Sequence, residues 1–116
     1  MSFSLHAATI PSYLQILANV ARLVDKAEQW CQERALPPAE LIQARLAPDM
    51  YPYAYQVKSA AFHSLGAIEG VRAGVFRPET APPPDSFAGL RERIEQAMRG
   101  LDAVTPAELD GYLGRD

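Results

Sequence analysis

The chain is poor in the residues that most chemistries need: one cysteine, two histidines and one tryptophan in 116 residues. A single thiol, Cys31, excludes an internal disulfide, and with it a disulfide-stapled secreted scaffold. His6 and His63 stand far apart and form no H-x-x-x-H or H-E-x-x-H pair, so neither a metal nor another cofactor is expected on this chain. Long apolar runs are missing, none approaching the ~18 residues of a membrane span. The opening "MSFSLHAATIPSY" lacks the basic leader and apolar core of a signal peptide, and a reducing cytoplasm is the expected location. Positive charge is not in excess either. Eleven Lys and Arg against fourteen Asp and Glu give a net charge of −3 and a pI near 5.3. Neither nucleic acid nor an anionic membrane surface is therefore an expected partner. Alternating β-branched runs are absent, as are a Gly-rich phosphate loop, a G-x-S-x-G elbow and a paired-carboxylate signature.

What remains is helical periodicity in an ordinary globular composition, 48% hydrophobic and 22% charged. The spacing predicts an all-α fold, an antiparallel up-down helical bundle with three long helices at residues 10–34, 52–72 and 87–104. Residues 1–116 read as one domain. The first helix is expected to start at a Thr9 cap with Pro11 in its first turn. Its apolar face runs from Ile10 through Leu17 and Val24 to Cys31, and Ile16, Leu23, Ala27 and Trp30 widen it to about half the circumference. So wide a face asks for two neighbours. Pro37 and Pro38 end that helix, and "PAELIQARL" reads as a short helical connector. The second helix carries Val57, Ala61, Leu65 and Ile68 on its main stripe, so Leu65 is expected in the core and Lys58 on the surface. Prolines stiffen "AGVFRPETAPPPDS" as a loop. Ser86 caps the third helix, and "TPAE" at Thr105–Glu108 is a capping box.

The stretch "LAPDMYPYAYQVKSAAFHSL" sets the functional question. Tyr53 belongs to the core stripe, but Tyr51, Tyr55 and Phe62 point nearly the opposite way, and a helix apolar on two sides needs two covers. The connector, a further helix or a second copy of the chain would each serve, which makes Tyr51, Tyr55 and Phe62 the candidate interface. His63 shares a row with Gln56, Ala60 and Ala67. It is either a partly exposed histidine with a hydrogen-bond partner or the border of a polar cavity, with Gln56 two turns below. Asp49 either caps the second helix or faces that site. His63, Gln56 and Asp49 are thus the candidate pocket. Cys31, on an apolar face without an adjacent base, reads as packing rather than a nucleophile.

Three segments, "TIPSYLQILANVARLVDKAE", "ARLAPDMYPYAYQVKSA" and "SFAGLRERIEQAMRGLD", occur in this order along nearly the whole chain. With them the sequence resembles the uncharacterised family DUF1993, a relative of the DinB/YfiT-like four-helix bundles. The family's pattern continues into a further long helix, so the resemblance implies a domain incomplete at its C-terminus, with the N-terminal two-thirds present. It also implies one long crossover and a homodimer. Many DinB-like relatives bind a divalent metal through three histidines, and some are thiol-dependent transferases or hydrolases. Two functional expectations follow. One is a binding or assembly role. The other is a metal- or thiol-dependent transferase or hydrolase whose site a C-terminal helix would complete. No catalytic residue is assignable, and the small-molecule ligand, if there is one, has no name.

Overall fold

The computed structural model describes residues 3–114, which form five helices and no strand. The helices are α1 (Leu5–Glu33), α2 (Pro38–Ile42), α3 (Tyr53–Ala73), α4 (Phe87–Asp102) and α5 (Pro106–Asp110). Three are long, as the periodicity predicts.

The start of α1 differs from the expectation. Ser4, not Thr9, is the N-cap, its hydroxyl accepting from the Ala7 N–H at 3.1 Å. The reason is tertiary: the Asp110 carboxylate accepts from the His6 N–H at 2.9 Å and from the Ser4 hydroxyl at 3.0 Å. A carboxylate from the far end of the chain thereby satisfies orphan donors of the first turn. Thr9 instead donates its hydroxyl to the Leu5 carbonyl at 2.8 Å, and Pro11 falls inside the helix. Ser86 caps α4 as expected, accepting from Gly89, and Thr105 caps α5, accepting from Glu108. The Glu108 carboxylate does not complete the capping box. It pairs with Arg72 at the end of α3.

Side-chain pairs give the helix directions. Arg91, early in α4, reaches Asp25 and Glu28 late in α1, while Asp110 beyond the end of α4 meets Ser4 before α1. The two helices are antiparallel. Arg72 late in α3 meets Glu108 after α4, so α3 and α4 run the same way. Residues 74–86 form the crossover between them. The up-down relation therefore holds between α1 and both of its partners.

α4 is the keystone of the packing. It lies along both α1 and α3, whereas α1 and α3 touch sparingly. Leu17 and Val24 of α1, Ala61 of α3, and Leu90, Ile94 and Leu101 of α4 are fully buried. Each large aliphatic side chain of this kind stabilises the fold by about 1.5–3 kcal/mol. Cys31 packs in the same core as a free thiol. Ile42 brings α2 into it.

Two assignments on α3 change. Leu65 is only partly buried, packed at the edge of the core, while Lys58 is buried at 5% exposure. The Lys58 ammonium donates to the backbone carbonyls of Glu79 and Ala81 and lies 3.8 Å from the Glu79 carboxylate. An irregular crossover has carbonyls with no helix or sheet partner, and a lysine on a long apolar stem can reach them. Arg93 holds Glu79 from the other side at 3.2 Å. The second cover of α3 is likewise this crossover. Phe76 lies over Phe62, ring centroids 5.4 Å apart, whereas the α2 connector packs near the other end of α3.

Candidate functional site

α1 carries two rows of side chains, each repeating every seven residues. Ile10, Leu17, Val24 and Cys31 form the buried row that faces the core. Beside it Tyr13, Ile16, Val20, Leu23, Ala27 and Trp30 follow at alternating spacings of three and four, the period of a helix–helix seam. α3 carries a matching second row: Tyr53, Gln56, Ala60, His63, Ala67 and Gly70, again spaced three and four. α4 occupies the other faces of both helices, so these two rows flank a groove that nothing among the described residues fills. Ile16 is 56% exposed, Leu23 57% and Trp30 41%. Apolar side chains this large, in one line on one helix, are the surface feature that most needs explaining.

The groove has distinct compartments. One, of about 180 Å³, lies between Tyr13 and Ile16 of α1 and Ala60, His63 and Ser64 of α3. Another, of about 320 Å³, lies between Leu23, Ala27 and Trp30 on one side and Tyr53 and Leu41 on the other, with Lys26 at its lip. Beyond the first lies an end pocket of about 590 Å³, where α3 ends near the start of α1 and the end of α5. The polar groups are few. The Ser64 hydroxyl donates to the Ala60 and Ala61 carbonyls. The Tyr53 hydroxyl is buried with no hydrogen-bond partner among the described residues. Burial alone pushes that phenol's pKa above its ordinary value, since the phenolate would be poorly solvated there.

The expected pocket residues separate. His63 is exposed and borders the end pocket, the smaller groove compartment and a third cavity under the crossover. Its ring sits 5.6 Å from that of Phe62 and 6.2 Å from that of Phe76. Gln56 shares the His63 row but is exposed, its amide donating to the Tyr51 carbonyl at 3.4 Å. Asp49 is exposed in the turn before α3 and does not cap it. Pro52 is the N-cap residue, and no side chain caps that end. Of the expected interface residues, Tyr51 and Tyr55 stack on each other at 4.0 Å with Tyr51 exposed, and Phe62 lies beneath Phe76.

Sequence reasoning missed Phe76, Tyr112 and Leu5, which help to enclose the end pocket. The signal for Phe76 was the "GVF" that follows α3, two large apolar residues immediately after a helix stop. Tyr112 and Leu5 meet through the fold, and no local pattern announces them. Among the described residues no group of three or more His, Cys, Asp and Glu is placed to hold a metal ion. No helix among them is long and apolar enough to cross a membrane.

No curated protein and no solved structure matches the chain. The family model described as Domain of unknown function (DUF1993) matches residues 5–116. Three long helices along that span, the crossover and the open α1–α3 groove are therefore features of a member of the DUF1993 family, to which this chain belongs.

Proposed function

We propose that the chain is a binding and assembly module of DinB/YfiT-like type, and that it works as a homodimer in the cytoplasm. The observation that carries this reading is the line of Ile16, Leu23 and Trp30, exposed at seven-residue spacing beside a groove of the same period. Such a groove takes a helix with an apolar row. The chain owns one: α1 itself. A two-fold pairing with α1 of each copy lying in the α1–α3 groove of the other covers both grooves and both ridges with one contact. The α1 and α3 helices of the two copies then form a four-helix arrangement of the kind that buries such seams in bundles. A buried free thiol and the absence of any disulfide suit a reducing compartment.

Sedimentation at micromolar concentration tests the proposal. The wild-type chain is expected to be a dimer, and Leu23→Glu, which places a charge in the middle of an exposed ridge, a folded monomer. A wild-type chain that is well folded and strictly monomeric would refute it.

A further inference from the structure

We infer that the end pocket binds a small, neutral, largely apolar molecule carrying one hydroxyl group, with His63 as the group that reads that hydroxyl. The pocket shares His63, Ala67 and Gly70 with the α3 row beside the groove, but none of the exposed α1 ridge residues Ile16, Leu23 and Trp30 lines it.

The volume of about 590 Å³ falls in the range of small-molecule sites. Its origin is local. Ala67 and Gly70 put almost no side chain into the space beside α3. Gly74, at φ 78°, ends the helix in the left-handed conformation that glycine adopts without strain. The chain turns back there, and Phe76 becomes a wall of the pocket, its ring against the Gly70 backbone. Leu5 and Tyr112 help to close it from the opposite end of the sequence.

The chemistry of the lining selects the ligand class. Among the described residues no Lys, Arg, Asp or Glu lines the pocket, and its polar side chains are His63 and Tyr112. Two of the carboxylates at this end of the bundle are already matched. The Asp110 carboxylate accepts from Ser4 and His6, and Glu108 is paired with Arg72. A ligand carboxylate would find no Lys or Arg among the described lining residues and would lose hydration without that compensation. A neutral molecule avoids that cost. The His63 imidazole, in its neutral form, offers one donor and one acceptor, so it bonds a hydroxyl in either direction. Phe76 and Tyr112 supply the flat apolar surfaces against which a ring system packs.

The test uses 2-naphthol as a neutral probe and 2-naphthoate as its charged counterpart, with amide chemical shifts as the readout. Saturable binding of 2-naphthol is expected, with a dissociation constant on the order of 0.1–1 mM for a ligand so small. The shifts should centre on the Gly70 and Gly74 amides. The carboxylate should bind at least about tenfold more weakly. His63→Ala should weaken 2-naphthol by about three- to tenfold, the loss of one hydrogen bond. Ala67→Phe, which fills the space, should abolish binding. Circular dichroism checks that each variant folds, and His63→Ala, at an exposed position, decides the matter alone if Ala67→Phe does not fold. Lack of saturation up to the probe's solubility would overturn the inference. So would shifts centred on Leu23 and Trp30, equal binding of the two probes, or binding untouched by His63→Ala.

Discussion

Gly100 of α4 and Leu65 of α3 interlock: a methyl group added at Gly100 would stand 2.7 and 2.8 Å from the two terminal carbons of Leu65. The glycine leaves room for the Leu65 side chain where the two parallel helices meet. A helical glycine costs about 1 kcal/mol relative to alanine, whereas forcing a methyl into a filled contact costs about 1–3 kcal/mol. Gly100→Ala should therefore destabilise the protein by about 1 kcal/mol. Leu65→Ala, at the edge of the core, should itself cost about 2 kcal/mol, the low end for such truncations. With Leu65 truncated, Gly100→Ala should turn stabilising by up to about 1 kcal/mol. A double-mutant cycle in urea checks the reversal. The same sign in both backgrounds would show that this contact does not set the helix spacing.

Lys58 ties the crossover to α3, and its removal should be felt. Lys58→Ala deletes a buried cation and strands the carbonyls of Glu79 and Ala81 that it satisfies. Hydrogen bonds to charged groups contribute about 1.5–3 kcal/mol, so a loss of about that size is expected in chemical denaturation. The crossover should also become more open to proteolysis than the helices. A variant within about 0.5 kcal/mol of wild type, the usual effect at an open surface, would mean that Phe76 on Phe62 suffices to hold the segment.

Acid should loosen the joint between α1 and α5. The Asp110 carboxyl is held below its ordinary pKa, first by the His6 backbone N–H and then by Ser4 and Leu5. A depressed folded-state pKa means that the group stabilises the fold above its unfolded pKa of about 3.9. That contribution is lost as pH falls through the lower folded value. Glu108 behaves likewise through its bond to Arg72. Stability should be flat from neutrality to about pH 5 and fall below about pH 4. Asp110→Asn should flatten part of that acid limb while lowering stability at pH 7. An unchanged acid limb in Asp110→Asn would remove Asp110 from the account.

The three long helices were legible because their apolar periods are long and their stops are proline and glycine. Ser86 and Thr105 were legible as caps because cap chemistry is local. Ser4 was not, since the carboxylate that completes its cap comes from Asp110, more than a hundred positions away. Lys58 looked like surface for a similar reason. A lysine is buried only when partners exist for its charge, and these are backbone carbonyls of an irregular segment that no pattern locates. The excess width of the α1 face did announce the groove. The groove's position between α1 and α3 became visible only once α4 had claimed the other two faces.

Tyr53 joins the groove to the energetics of the fold. Its hydroxyl is buried without a partner among the described residues, beside the compartment that Leu23 and Trp30 border. A buried, unbonded polar group costs about 1–3 kcal/mol, and removing it recovers part of that cost. Tyr53→Phe keeps the ring and its packing while deleting only the oxygen. In dilute solution, where the groove is open, the substitution should stabilise the folded chain by about 1 kcal/mol. Denaturation at two protein concentrations checks this, one below and one above the onset of self-association. At the higher concentration the gain should shrink if the second copy supplies an acceptor for the hydroxyl. A loss of about 1 kcal/mol at the lower concentration would show that the hydroxyl is already bonded in the single chain. The groove floor would then be more polar than its lining indicates.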